Sequence, residues 1–131
     1  MSGFVGPLAL ANTGSTGNNT HNSVSCSPAA NKTSLIFIVE AVGATPTVTF
    51  KFQGTLDPNS VTDANAQWAD LALLPIGSET VTAAPTAVTA VGNSIFYIAQ
   101  SHTRFVRRVR VITSANTNVT YSAQLHQQYA N

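Results

Sequence analysis

From Thr33 onward the chain is a series of short runs rich in Val, Ile, Phe and Thr, separated by clusters of Gly, Pro, Asn or Asp. The spacing is roughly the 8–12 residues typical of strands in sandwiches and barrels. It predicts seven strands, near Thr33–Val42, Thr47–Leu56, Trp68–Leu74, Glu79–Thr89, Ser94–Gln100, Phe105–Thr113 and Val119–Gln127. Turns fall between them at Gly43-Ala44-Thr45-Pro46, Asp57-Pro58-Asn59-Ser60, Pro75-Ile76-Gly77-Ser78, Gly92-Asn93 and Asn116-Thr117-Asn118. Gly and Asn there tolerate left-handed backbone, and Pro fixes φ. Val, Ile and Thr total 36 residues, against 23 for Leu, Met, Glu, Lys, Arg and Gln. Residues that fit a pleated sheet thus outnumber the long helix formers. With 131 residues in all, the expectation is one all-β domain, a two-sheet antiparallel β-sandwich over residues 33–131.

Alternation along the strands shows which faces want water. In Thr47–Leu56, Val48, Phe50 and Phe52 alternate with Thr49, Lys51 and Gln53, so one side meets a core and the other solvent. In Thr33–Val42, Leu35, Phe37, Val39 and Ala41 line one face, yet Ile36, Ile38 and Val42 line the other, interrupted only by Ser34 and Glu40. Ser94–Gln100 repeats this, with Ile95 and Tyr97 alternating with Phe96 and Ile98. A sandwich strand needs one dry side, so the second apolar face predicts cover by the N-terminal segment, a long loop or another subunit.

Residues 1–32 differ, and predict an extended N-terminal arm or loop: Asn12–Lys32 is polar and turn-rich, behind an apolar Phe4-Val5-Gly6-Pro7-Leu8-Ala9-Leu10. Gly6-Pro7 favours an extended path. Burying Phe4, Val5, Leu8 and Leu10 returns roughly 1.5–3 kcal/mol each, whereas ordering about eight residues costs about 1–2 kcal/mol apiece. That near balance predicts an arm ordered only against a neighbouring chain, so that deleting Met1–Ala11 spares the folded domain.

Charge excludes several function classes. Charged residues make up 8% of the chain and the net charge is +1, too weak a field to hold a nucleic acid. No run of 18 apolar residues offers a membrane span, and Met1–Ala11 lacks the basic start of a secretory signal. Synthesis inside a cell, in the cytoplasm and without export, is expected. Cys26 stands alone, which leaves no internal disulfide and no Cys-based zinc site. His21, His102 and His126 are far apart, and Asp57–Asp63 lacks the ligand ladder of a calcium loop. No metal and no cofactor is expected.

Arg104, Arg107, Arg108 and Arg110 place four of the six basic residues within seven positions. Arg104, Arg108 and Arg110 share one strand parity, and Arg107 falls on that of Phe105, Val109 and Val111, unless a bulge shifts the phase. Guanidinium pairs within the domain or across a subunit contact account for such a strand better than phosphate binding does. Glu40, Asp57, Asp63, Asp70 and Glu79 are scattered, and Ser101-His102 lacks the turn that exposes a nucleophile. No catalytic residue is assigned. Trp68, Tyr97 and Tyr121 form an alternative sugar-stacking set, as in carbohydrate-binding β-sandwiches, although burial of Trp68 in the core is the simpler expectation. Three Asn-x-Ser/Thr sequons, at Asn18, Asn31 and Asn118, stand close to the number chance gives in so Asn-, Ser- and Thr-rich a chain and carry little information.

Three stretches read together resemble a known class: Thr47-Val48-Thr49-Phe50-Lys51-Phe52-Gln53-Gly54-Thr55-Leu56-Asp57, Trp68-Ala69-Asp70-Leu71, and Arg104-Phe105-Val106-Arg107-Arg108-Val109-Arg110-Val111. The series, within Thr33–Gln127, resembles small virion proteins of tailed bacteriophages, and most of all capsid decoration or cement proteins. The resemblance implies a jelly-roll β-sandwich, assembled as a homotrimer, that binds over junctions between major capsid subunits on the virion surface and strengthens the shell. It implies subunit or capsid contacts at Phe4, Val5, Leu8, Leu10, Ile36, Ile38, Phe96, Ile98, Arg104, Arg108 and Arg110. Two departures stand out: seven strands where a jelly roll has eight, and the Arg107-Arg108 pair. The N-terminal arm is a candidate for the eighth strand.

Overall fold

The computed structural model describes residues 3–27, 32–71, 73–75, 86–88, 92–98 and 106–129, with side chains placed for 7–27, 34–71 and 106–128. The strands are β1 (Gly3–Ser15), β2 (Val24–Ser25), β3 (Lys32–Ala41), β4 (Thr47–Thr55), β5 (Ala69–Asp70), β6 (Leu73–Pro75), β7 (Thr86–Val88), β8 (Gly92–Ile98), β9 (Arg108–Thr117) and β10 (Val119–Tyr129). The described residues contain no helix. Two antiparallel sheets result, ordered β1-β10-β3-β8-β6 and β2-β9-β4-β5, with β7 also paired to β4.

With β6 and β7 set aside, the pairing has a simple rule. The first strand pairs with the last (β1 with β10), the second with the second-last (β2 with β9), then β3 with β8 and β4 with β5. A long antiparallel hairpin rolled on itself produces this order, and the rolling adds the β10–β3 and β9–β4 contacts. This is a jelly roll. The all-β, two-sheet antiparallel sandwich expected from the sequence is therefore what the chain forms, with β1 supplying the strand that seven runs left missing.

That placement corrects the expectation that Gly3–Leu10 orders only on a neighbouring chain. Gly3–Ser15 runs antiparallel to β10 of its own chain, from Gly3 opposite Tyr129 to Ser15 opposite Tyr121. Leu10 and Ala11 are buried in the core, and Leu8 packs against it. Farther on, Val24–Ser25 pairs with Val109 and Arg108, and Thr20 bridges Ile112. Two further expectations change. Trp68–Leu74 divides into β5 and β6, which join different sheets, and of Glu79–Thr89 only Thr86–Val88 lies among the described residues.

The core lies between the sheets. Leu35, Phe37 and Val39 of β3 and Tyr121, Ala123 and Leu125 of β10 meet Val48, Phe50 and Phe52 of β4 and Val109 and Val111 of β9. Phe37 and Phe50 stack across the gap with centroids 3.9 Å apart and planes 7° from parallel, and Tyr121 lies on Phe37 at 5.4 Å. Gly54, on the buried side of β4, is required by close approach: a Cβ there would sit 2.9 Å from Leu71 Cδ2 and 3.0 Å from Val106 Cγ1.

At one edge of the core, Tyr121 anchors the returning N-terminal segment. Its hydroxyl lies 2.8 Å from His21 Nε2 and 2.9 Å from Thr113 Oγ1, while Thr113 Oγ1 donates to Gly17 O at 3.0 Å. Burial holds His21 below its usual value, which suits a neutral ring beside a buried phenol.

Candidate functional site

The outward positions of β4 and β9 stand side by side, because the register pairs Gln53 with Arg110 and Thr55 with Arg108. Residues 56–68 fold back over this face. Two hydrogen-bonded turns shape the loop, Val61 N to Pro58 O at 3.0 Å and Ala66 N to Thr62 O at 2.9 Å. Asp57 steadies it by accepting from Gln67 N at 2.7 Å.

Asp63 docks the loop. Its Oδ2 accepts from Ser23 N at 2.9 Å, and its Oδ1 from Ser23 Oγ at 2.6 Å and from Arg108 Nη1 at 2.9 Å. Trp68 Nε1 donates to Asp63 O at 2.8 Å, which turns the indole onto the sheet. Arg110 Cζ then lies 4.1 Å from the Trp68 ring centroid and Arg108 Cζ 5.6 Å away, both within cation–π reach. Arg110 directs Nε and Nη2 at one acceptor, Gln53 Oε1, at 3.0 and 2.8 Å. Gln53 Nε2 in turn donates to Asp70 Oδ1 at 3.0 Å, and Lys51 Nζ lies 3.3 Å from the same oxygen.

The electrostatics follow. Burial pushes the Asp63 carboxyl up, but two Ser23 hydrogen bonds and the Arg108 and Arg110 charges outweigh it and hold the group below the usual carboxylate range. Asp70 is held down first by its Gln53 hydrogen bond and then by Lys51. Arg108 is the exception in an otherwise satisfied cluster. It is 4% exposed, and its Nε and Nη2 are buried with no hydrogen-bond partner among the described residues. Such a pair along one guanidinium edge is the geometry that grips a carboxylate or phosphate with two bonds.

No family model matches the chain, and no curated protein matches it. The fold has a solved counterpart. The crystal structure of the SPBc2 prophage-derived protein YomS superposes with a TM-score of 0.60 at 7% identity, over 98% of this chain and 95% of that one. At that identity the likeness is one of fold.

The contacts expected from the sequence disperse over this fold. Leu10 is buried in its own core, so it is no outward contact, and Leu8 packs against the same core. Of Phe4 and Val5 the structure describes the backbone alone, paired with Gln128 and Gln127. Ile36 and Ile38 lie half-buried on the side of β3 away from the core, as their parity requires. The register pairs Ile95 with Ile36, and Phe96 with core Leu35, while Ile98 is opposite Leu73. Ile95, rather than Phe96, therefore holds the ladder position matching Ile36. Arg104 lies outside the described residues. Arg108 is no exposed contact but a buried group under the loop, and Arg110 is held by Gln53 and Trp68.

Arg107 is exposed although it shares the parity of buried Val109 and Val111, because β9 begins only at Arg108. The Trp68, Tyr97 and Tyr121 platform is not assembled: Tyr121 is 2% exposed in the core, and Trp68 is half-buried with Arg110 on its ring. Sequence reasoning missed Asp63, Ser23 and Gln53 as the groups that organise the arginines. Their one available signal was the need of any strand bearing several arginines for nearby acceptors.

No group of three or more His, Cys, Asp or Glu side chains among the described residues is arranged to hold a metal ion. No helix of the described residues is long and apolar enough to cross a membrane.

Proposed function

We propose that the chain is a non-enzymatic structural protein of a phage virion, which decorates and cements the capsid as a homo-oligomer bound between major capsid subunits. The observation that carries this reading is β3. Its inner residues Leu35, Phe37 and Val39 fill the jelly-roll core, and its outer residues Ile36 and Ile38 keep a half-exposed apolar face on the opposite side of the same sheet. A domain whose core is already closed has a use for a second apolar face when another chain covers it. The prophage origin of YomS supports a phage setting, and jelly rolls recur in viral capsids. The work would be done by buried area, without turnover.

Light scattering of the purified protein and co-sedimentation with expanded phage shells test the proposal together. A trimer, or a species that co-sediments with the shells, is expected, and Ile36→Asp with Ile38→Asp should reduce shell binding at least tenfold. A strictly monomeric protein that leaves the shells in the supernatant overturns it.

A further inference from the structure

Arg108 holds its only described hydrogen bond through Nη1, to Asp63. The adjacent donors Nε and Nη2 remain buried without a partner among the described residues, in a side chain that is 4% exposed. A guanidinium buried with one edge unmatched is an unfavourable arrangement on its own. Nearby groups do not relieve it: Asp63 is committed to Ser23 and Nη1, Asp70 to Gln53 and Lys51, and Gln53 Oε1 to Arg110. Next to Arg108, Arg107 is exposed and makes no salt bridge among the described residues. Positive charge is therefore in surplus at this end of β9.

The cover is light. In the loop 56–68, Ala66 is buried, Val61 and Trp68 are half-buried, and Leu56 is 62% exposed. Its other attachments are polar: Asp63 to Ser23 and Arg108, and Asn59 to Ser25 at 3.0 Å. Segments held this way open at low free energy.

We propose that the face beneath the 56–68 loop is a docking surface for an acidic segment of a partner protein, with one Asp or Glu carboxylate bound bidentately by Arg108 Nε and Nη2. Arg107 adds long-range attraction beside it, and Trp68 and Arg110 line the site as the loop lifts. Charge complementarity selects this occupant: the unmatched donors are two parallel N–H groups of a cation, which a carboxylate fits and an apolar segment does not. The inference deepens the proposed function by naming the chemistry of the partner contact.

Trp68 is the sole tryptophan of the chain and lies against both arginines, so it reports on the site directly. The full chain is titrated with a short glutamate-rich peptide, with sodium acetate and with inorganic phosphate at constant ionic strength, following Trp68 fluorescence and the Arg108 Nε–H resonance. Saturable changes with the peptide are expected, weaker ones with acetate, and a downfield shift of Nε–H in each. Arg108→Lys keeps the charge but loses the fork and should weaken peptide binding at least tenfold; Arg107→Gln should lower it several-fold and flatten its salt dependence. Thermal melts confirm that the variants fold, and the wild-type Nε–H shift tests the proposal without any variant. An unresponsive Nε–H, equal binding by wild type and Arg108→Lys, or binding of phosphate without the peptide overturns it. Shell binding unaffected by Arg108→Lys refutes this inference and leaves the capsid reading standing; fork-dependent peptide binding by a protein that never meets a shell does the reverse.

Discussion

Asp63 draws three distant stretches of chain together: its carboxylate takes Ser23 and Arg108, and its carbonyl takes the indole of Trp68. The sign of its pH dependence follows from its depressed value. A carboxyl that ionises more readily folded than unfolded contributes stability fully above its unfolded value, near its ordinary 3.8, and loses that contribution as pH falls through the lower folded value. Asp63→Asn should therefore lower the melting temperature at neutral pH and flatten the acid limb below about pH 4 in thermal melts recorded from pH 7 to pH 2. Trp68 emission should shift to the red in the same variant, as the loop loses its anchor. A variant with an unchanged acid limb would remove Asp63 from the account. The role of the carboxylate was not visible from the position of Asp63 in the sequence, because its partners Ser23 and Arg108 lie 40 and 45 residues away.

At the scale of elements, the strands that kept a clean period of two were legible. Thr47–Thr55 alternates half-buried and buried residues through Gly54, as Val48, Phe50 and Phe52 required. The outer face of β3 was legible too, because Ile36 and Ile38 share one parity. The first strand was not. Its ladder with β10 slips between Val5 and Leu8, between Ala9 and Ala11, and between Ala11 and Ser15, and each of the first two slips inserts one extra residue and so shifts the side-chain phase. With Pro7 and three glycines in the same stretch, no alternation survives to be read. In Ser94–Ile98 both parities are apolar, so only the pairing of Phe96 with Leu35 decides which one matches the core. The practical outcome concerns β1. Deleting Met1–Ala11 should abolish or strongly broaden the cooperative thermal transition, and Leu10→Ala alone should cost about 2–5 kcal/mol in urea melts. A truncated protein that melts like the full chain would show that β1 is dispensable.

For the whole molecule, Cys26 offers a gauge of how cooperatively the two sheets hold together. It packs against the core, and burial pushes its thiol up to about 11 from 9.0. At pH 8 that leaves about a hundredfold less thiolate than an ordinary cysteine carries, so alkylation by iodoacetamide should be slowed by about that factor in the native protein. Labelling should reach the free-thiol rate across the same urea range in which the far-UV circular dichroism of the strands is lost. Rapid labelling well below that range would mean that the 24–27 segment opens independently of the sandwich.

Pairing the first strand with the last also dictates when the protein can become itself during synthesis. β10 lies between β1 and β3, so β1 has no partner in the first sheet and β3 lacks one of its two neighbours until residues 119–129 have left the ribosome. Until then Leu10, Phe37 and Val39 wait without their neighbours, and β1 and β3 each present an open edge where β10 will later insert. A nascent chain of this topology folds late rather than piecewise, and closing such distant contacts is slow. The Pro and glycines that obscure β1 to a sequence reader thereby acquire a use. They make the exposed early strand a poor template for pairing with its copies on neighbouring ribosomes.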